Sequence, residues 1–158
     1  MTPPYRVGDE LPPLEIPVTR TLIVAGAIAS RDYQDVHHDA ASAREKGSPD
    51  IFMNILTTNG LVGRYITDHF GPTAVLRKVA IRLGAPNYPG DVLRLTGRIT
   101  ELRTADRSSA DTSSDEVVDA VKAIEAVVQV TGGNGIGRHV TGTVAVTFPE
   151  PSAKRTGA

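Results

Sequence analysis

Apolar residues follow two different periods along this chain, and the change between them falls near residue 71. Before that point they recur at the spacing of one helix face. Beyond it they alternate with polar residues, as in half-buried strands. The pattern therefore predicts helices in the first part of the chain and a sheet in the second.

The clearest predicted helix covers residues 50–69. Ser48 can cap it, Pro49 suits its first turn, and Gly71-Pro72 ends it. Its apolar positions recur at helical spacing: Ile51, Ile55, Val62 and Ile66. Phe52, Leu61 and Tyr65 broaden this stripe, so we expect other structure to surround most of the helix.

Two shorter segments precede the long helix. Residues 22–30 are apolar and rich in small residues, which favours a buried helix, although the pattern alone also permits a strand. Residues 40–46 are predicted to form a second short helix, with Asp39 as its N-cap and Gly47 as its end. Residues 1–17 contain five prolines and are predicted to be an irregular, partly strand-like lead-in.

The rest of the chain is predicted to be about four antiparallel strands. A turn is expected at residues 87–91, and Gly132 to Gly135 predicts a hairpin. The apolar members of the alternating segments are Val79, Ile81 and Leu83, then Leu93, Leu95 and Ile99, and finally Val140, Val144, Val146 and Phe148. A long helix followed by such strands predicts an α+β fold of the hot-dog type, a curved antiparallel sheet wrapped around a central helix.

The length of 158 residues favours one domain, predicted over residues 1–150. Within it, residues 104–116 are polar without any apolar period and predict a loop between two strands. Residues 151–158 predict a disordered tail.

Composition excludes several classes of protein. There is no cysteine, which removes disulfides and thiolate chemistry and favours a cytoplasmic location. The net charge of −1 gives no reason to expect binding to nucleic acid. The longest apolar run, residues 22–29, is too short to cross a bilayer, so no membrane association is expected.

Candidate chemistry concentrates in residues 30–39, which hold two of the four histidines and three acidic residues. Asp32 and His37 are five positions apart in a polar loop between two helices. They could converge on one water molecule and share the task of taking its proton. His37, His38 and Asp39 could instead bind a metal, although adjacent side chains diverge and no metal site is predicted.

The other candidates have structural explanations. Asp39 is better explained as a helix cap and His38 as a solvated side chain. His69 lies near a helix C-terminus, where a partly charged imidazole would be favourable, and His139 is predicted to point outward from its strand. The glycines at 132–137 lie between strand-like segments and do not form a phosphate loop, and no Gly-x-Ser-x-Gly elbow is present.

The segment Asp32-Tyr33-Gln34-Asp35-Val36-His37 resembles the Asp-x-Asn-Pro-Ile-His signature of the MaoC-like, R-specific enoyl-CoA hydratases. The order of the following elements is similar too, over roughly residues 18–148. Residues 31–39 and 50–57 are most similar to one subgroup. This is the small catalytic subunit of the actinobacterial heteromeric hydratase that acts on steroid side-chain CoA thioesters.

The resemblance implies a role for each matching residue. Asp32 and His37 would be the catalytic pair that adds water to an α,β-unsaturated acyl-CoA, without any resident cofactor. The backbone N–H near Asn54 would hold the developing oxyanion. Gln34 replaces the family's Asn and keeps an amide at the substrate. Asp35 replaces a Pro, so the rigidity of the loop must come from elsewhere, and Met53-Asn54 replaces His-Gly.

The subgroup also implies a partner, a second MaoC-like subunit that completes a wide acyl pocket. Three other functions remain open at this point. They are a generic short- or medium-chain hydratase, an acyl-CoA thioesterase on the same fold, and a non-catalytic acyl-binding subunit.

Overall fold

The computed structural model describes residues 5–105 and 123–149. In chain order the elements are β1 (Glu10–Pro17), α1 (Arg20–Ala29), a 3₁₀ turn (Asp35–His37), α2 (Ala40–Glu45), α3 (Ile55–Phe70), β2 (Val75–Leu83), β3 (Val92–Ala105), β4 (Ala123–Gly133) and β5 (Arg138–Pro149). The predicted order of helices followed by four strands is confirmed, and the proline-rich lead-in contributes β1 as a fifth strand.

All five strands form one antiparallel sheet in the order β1-β3-β4-β5-β2, so β1 and β2 are its edges. Helix α3 packs against the sheet through a stripe that includes Leu61, Val62, Tyr65 and Ile66. Alternate residues of the inner strands fill the core beneath it, as the period of two requires. The predicted hot-dog architecture, an antiparallel sheet around a central helix, is confirmed.

The start of the long helix differs from the prediction of residue 50. Helix α3 begins at Ile55, and its N-cap is Asn54, whose side chain accepts a hydrogen bond from the Thr57 N–H. Residues 51–53 are not helical, because the Met53 N–H donates to the Asn87 carbonyl at 3.0 Å. Ser48 caps nothing and instead donates to the Asp50 carbonyl.

Because the helix starts later than predicted, its buried face differs from the predicted apolar stripe. Ile51 is buried outside the helix, whereas Ile55 and Leu56 are 48% and 47% exposed. The expectation that other structure surrounds most of the helix is therefore wrong for its first turn, within the described residues of this chain.

Helix α1 is the buried helix predicted for residues 22–30, with Thr19 as its N-cap. It crosses α3 so closely at Gly26 that an added Cβ would overlap the Thr57 side chain. Only glycine permits this approach. The contact fixes the distance between the end of α1 and the start of α3.

Two predicted segments fall largely outside the described residues. Of the polar loop predicted for residues 104–116, Thr104 and Ala105 belong to β3 and the remainder is not described. The tail predicted for residues 151–158 also lies outside the described part. No helix within residues 5–105 and 123–149 is long and apolar enough to span a bilayer.

Candidate functional site

The end of α1 delivers Asp32 to the site. Arg31 adopts a left-handed backbone with φ of 56°, and the Asp32 N–H donates to the Ala27 carbonyl at 2.9 Å. This arrangement resembles the caps that glycine usually makes at helix ends. A non-glycine residue in this region is strained, and the strain lies directly beside a candidate catalytic residue.

Asp32 and His37 converge, as the sequence predicted. The Nε2 atom of His37 lies 3.4 Å from Oδ2 of Asp32. The His37 side chain is almost entirely buried, while that of Asp32 remains 17% exposed. The pair is therefore sheltered by the protein but still open to a small molecule on one side.

The His37 ring is held from behind by a backbone carbonyl. Its Nδ1 atom lies 2.7 Å from the Phe52 oxygen, and the Phe52 ring packs edge-on against the imidazole. Because a carbonyl can only accept a hydrogen bond, Nδ1 of His37 carries a proton. Nε2 is the nitrogen that faces the Asp32 carboxylate.

Asn54 connects the acid to the long helix. Its Nδ2 atom donates to Oδ2 of Asp32 at 2.9 Å and to Oγ of Ser30 at 3.0 Å. The Asn54 amide is the main cause that lowers the pKa of Asp32, against the opposing effect of partial burial. Asp32 is therefore a carboxylate at neutral pH, able to accept a proton but not to donate one.

The backbone N–H of Asn54 has no hydrogen-bond acceptor among the described residues. It lies at the N-terminus of α3, where unpaired N–H groups and the helix dipole favour a negative charge. An oxyanion bound at this position would meet a donor that is already oriented.

Gln34 approaches the Asp32 carboxylate through its backbone N–H and not through its side-chain amide. Its N–H lies 3.4 Å from Oδ1 of Asp32, and its side chain is exposed. The predicted contact between the Gln34 amide and a substrate remains a prediction.

Asp35, which takes the place of the signature's proline in the predicted resemblance, anchors the loop to α2. Its carboxylate accepts a hydrogen bond from Oγ of Ser42 at 2.8 Å and pairs with Lys46, both at α2. These contacts, with Lys46 first, lower the pKa of Asp35 to about 2. Asp39 caps α2 by accepting from the N–H groups of Ala41 and Ser42, which confirms its predicted structural role.

The two adjacent histidines diverge. His38 is exposed and its Nε2 lies 3.3 Å from the Tyr33 carbonyl, whereas His37 is buried against Phe52 and Asp32. Among residues 5–105 and 123–149, no group of three or more His, Cys, Asp or Glu side chains is placed to hold a metal ion.

His139 contradicts the prediction that it points outward. It is 1% exposed, with Nδ1 2.7 Å from the Ala85 oxygen and Nε2 2.9 Å from Oγ1 of Thr58. The register of β4 and β5 shifts here, because Val140 pairs with Gly132 and Arg138 pairs with Gly133. Such a bulge adds one residue to β5 and reverses the side-chain alternation.

His69 lies in the last turn of α3, as predicted, but the expectation of a partly charged ring is wrong. It packs against the rings of Tyr5 and Phe70. Burial lowers its pKa, so the neutral imidazole is favoured.

Comparison with known proteins gives three findings. A model of the MaoC-like domain family matches residues 6–122. The chain is 40% identical over 142 residues to the 3-oxo-4,17-pregnadiene-20-carboxyl-CoA hydratase beta subunit of Mycobacterium tuberculosis, covering 90% of this chain and 95% of that subunit.

Solved structures are similar as well. A chain of the ChsH1–ChsH2 complex from Mycobacterium tuberculosis superposes with a TM-score of 0.74 at 39% identity, covering 90% of this chain and 98% of that one. The (R)-hydratase from A. caviae involved in PHA biosynthesis gives a TM-score of 0.74 at 18% identity, covering 92% and 98%. The second likeness shows the fold alone.

Proposed function

This chain belongs to the MaoC-like domain family, and we propose that it is the catalytic subunit of a heteromeric enoyl-CoA hydratase. The substrate we propose is a steroid side-chain enoyl-CoA. The observation that carries the proposal is the pair formed by Asp32 and His37, in which each side chain is fixed by a separate protein group.

In the proposed reaction one water molecule contacts both the Asp32 carboxylate and Nε2 of His37 from the exposed side of the pair. The pair removes a proton from this water as its oxygen attacks the β-carbon of the enoyl thioester. The electrons of the double bond move toward the thioester oxygen, and the proton then passes to the α-carbon. Water and the enoyl thioester thus give a 3-hydroxyacyl thioester, and no resident cofactor is required.

The Asn54 N–H is the proposed donor to the enolate oxygen of the intermediate. Its support is the unpaired N–H at the start of α3. The same residue bonds to Asp32 through its side chain. One residue would therefore align the oxyanion donor with the group that activates water.

The choice of a steroid thioester rests on the 40% identical relative, which is named as a hydratase of 3-oxo-4,17-pregnadiene-20-carboxyl-CoA. The structure supplies a second argument for a subunit. The first turn of α3, next to the site, exposes Ile55 and Leu56, and the edge strand β2 exposes Val75 and Leu76; we treat these four residues as one apolar surface. A groove of about 430 Å³ runs between these two elements.

We assign this surface to the proposed partner, a second MaoC-like chain. Exposed apolar residues beside an unpaired strand edge are typical of protein interfaces. Leu76→Lys should abolish co-purification with the partner, whereas Ile136→Lys, an equally apolar change at the β4–β5 turn, should leave it intact. If both variants still co-purify at the wild-type ratio, the partner binds elsewhere.

The function is tested by following loss of enoyl-thioester absorbance, with crotonyl-CoA and 3-oxo-4,17-pregnadiene-20-carboxyl-CoA as substrates. Each is assayed with and without the co-expressed partner. We expect turnover of the steroid thioester by the complex. Turnover of crotonyl-CoA by the chain alone would indicate a generic hydratase. Release of free CoA thiol would indicate a thioesterase, and no reaction with any substrate would indicate a non-catalytic subunit.

A further inference from the structure

A buried polar pair adjoins the candidate site at the first turn of α3. Thr58 is fully buried on α3, one turn after Asn54, and His139 is buried on β5. Their side chains meet at 2.9 Å, between Oγ1 of Thr58 and Nε2 of His139. Neither residue takes part in the proposed addition of water.

The direction of this hydrogen bond follows from its neighbours. Nδ1 of His139 lies 2.7 Å from the Ala85 oxygen, which can only accept. Burial lowers the pKa of His139, so the ring is neutral and its one proton is on Nδ1. Nε2 must then accept, and the Thr58 hydroxyl is the donor.

The pair reaches the site through the backbone of Asn54. The Asn54 carbonyl accepts from the Thr58 N–H at 3.2 Å and lies 3.3 Å from Oγ1 of Thr58. The first turn of α3 is thus tied to β5 at one point, by a hydrogen bond that links residues 81 positions apart. A shift of Thr58 would move Asn54 with it.

Asn54 in turn holds the two groups that the chemistry requires. Its side chain bonds to the Asp32 carboxylate, and its own N–H, at the helix start, has no acceptor in the described part of the chain. In the same helix turn, Oγ1 of Thr57 is buried without a hydrogen-bond partner among the described residues, so the Thr57 hydroxyl adds nothing to the restraint on Asn54.

From these contacts we propose that Thr58 and His139 are positioning residues, which hold Asn54 and through it the Asp32 carboxylate and the oxyanion donor. The pair contacts no substrate, so its loss should lower the rate of the chemical step without weakening binding. This inference rests on the proposed hydratase function for its kinetic test, although not for its structural test.

The kinetic test compares two variants of Thr58 in the full chain with its partner. Thr58→Val keeps the shape and removes the hydroxyl, while Thr58→Ser keeps the hydroxyl. We expect Thr58→Val to lower kcat about tenfold with KM unchanged, the scale seen when a group supporting a site is lost. Thr58→Ser should restore most of the rate.

Ile66→Val is the matched control, since Ile66 is fully buried two turns further along the same helix. It loosens the packing of α3 without touching the polar pair. A general loss of stability would reduce kcat in both variants in proportion to their loss of Tm, and that result would overturn the proposal. His139→Asn is a second way to break the pair with Thr58. It is conservative in that the Asn amide can still donate to the Ala85 oxygen.

A second readout needs no turnover. The side-chain NH₂ resonances of Asn54 in an NMR spectrum should shift in Thr58→Val and in His139→Asn, and should stay in place in Thr58→Ser and Ile66→Val. If wild-type protein hydrates no enoyl-CoA, the proposed function fails. The Asn54 resonances still test whether Thr58 and His139 position Asn54. Unmoved Asn54 resonances in Thr58→Val, or a wild-type kcat in that variant, would overturn the positioning role.

Discussion

Two histidines lie in different regions around Asn54, and the protein holds both by the same device. In the loop between α1 and α2, the Nδ1 atom of His37 lies 2.7 Å from the Phe52 carbonyl. In the bulge of β5, the Nδ1 atom of His139 lies 2.7 Å from the Ala85 carbonyl. In both, Nδ1 donates to the carbonyl, and Nε2 on the other side of the ring faces a second group.

The regions differ in what faces Nε2. His37 faces the partly exposed carboxylate of Asp32 at 3.4 Å, a distance that leaves the pair free to share a water. His139 faces the buried hydroxyl of Thr58 at 2.9 Å, in a bond that is already complete. The two histidines share burial and a hydrogen-bonded Nδ1, so these features do not distinguish the proposed catalytic residue from the proposed positioning residue. The proposed roles differ because of the group that faces Nε2, and because Asp32 is partly exposed to solvent whereas Thr58 is not.

The largest predicted effect is the loss of the reactive pair. Asp32→Asn or His37→Ala should each lower kcat by ~10²–10⁴-fold, the usual contribution of a general acid or base. The double variant should lose little more than either single one, because both residues serve one water. His38→Ala is the matched control, since the neighbouring imidazole is exposed and contacts the Tyr33 carbonyl, so its loss should leave the rate unchanged.

Additive losses in the Asp32 and His37 variants would mean that the two residues act in separate steps. Steady-state hydration assays of the wild type and these four variants distinguish the outcomes, and circular dichroism shows whether each variant is folded.

An intermediate effect is expected at Asn54, which touches both regions. Asn54→Ala removes a helix cap, which should cost about 1 kcal/mol of unfolding free energy. It also removes the main contact that lowers the pKa of Asp32. That pKa should rise toward its ordinary value, so the carboxylate is protonated at a higher pH. The acid limb of the pH–rate profile should therefore move to higher pH.

Asp39→Ala is the control for Asn54→Ala, because it too removes an N-cap. It should cost a similar ~1 kcal/mol, measured by urea unfolding, and should leave kcat and its pH dependence as in the wild type. An equal loss of rate in the two variants would mean that capping, and not the contact with Asp32, explains the effect at Asn54.

The smallest predicted effect concerns Asp35, which stiffens the loop of His37 from its outer side. The pKa of Asp35 falls from 3.8 to about 2 on folding, mainly through Lys46. A carboxylate whose pKa is lowered on folding stabilises the fold at pH values above its pKa in the unfolded chain. That stabilisation is lost as the pH falls through the pKa of the folded state. Asp35→Asn should therefore be less stable than wild type at neutral pH, and the difference should disappear between about pH 4 and 2. A Tm difference that stays constant over that range would contradict this.

Much of this fold could be predicted from the alternation of residues. The strands after residue 75, the hairpin at Gly132 and the cap at Asp39 follow from local patterns. The meeting of Asp32 and His37 also follows, because both lie in one short loop.

The misses share a physical cause, since each depends on a contact between residues distant in sequence. The start of α3 is decided by the bond between Met53 and Asn87, so the strong local signals at Ser48 and Pro49 fail. The inward turn of His139 depends on the register between β4 and β5, which no local pattern reports. The role of Asp35 depends on Lys46, one helix away.

The close crossing of α1 and α3 at Gly26 has a consequence for protein engineering. Asp32 follows the end of α1, and Asn54 caps the start of α3. The spacing between the two helices therefore sets the distance between these two side chains. A single methyl group at Gly26 would push the helices apart and lengthen the distance between Asp32 and Asn54. A mutant library restricted to residues within reach of a substrate would never sample this position, although it limits how far the catalytic geometry can be redesigned.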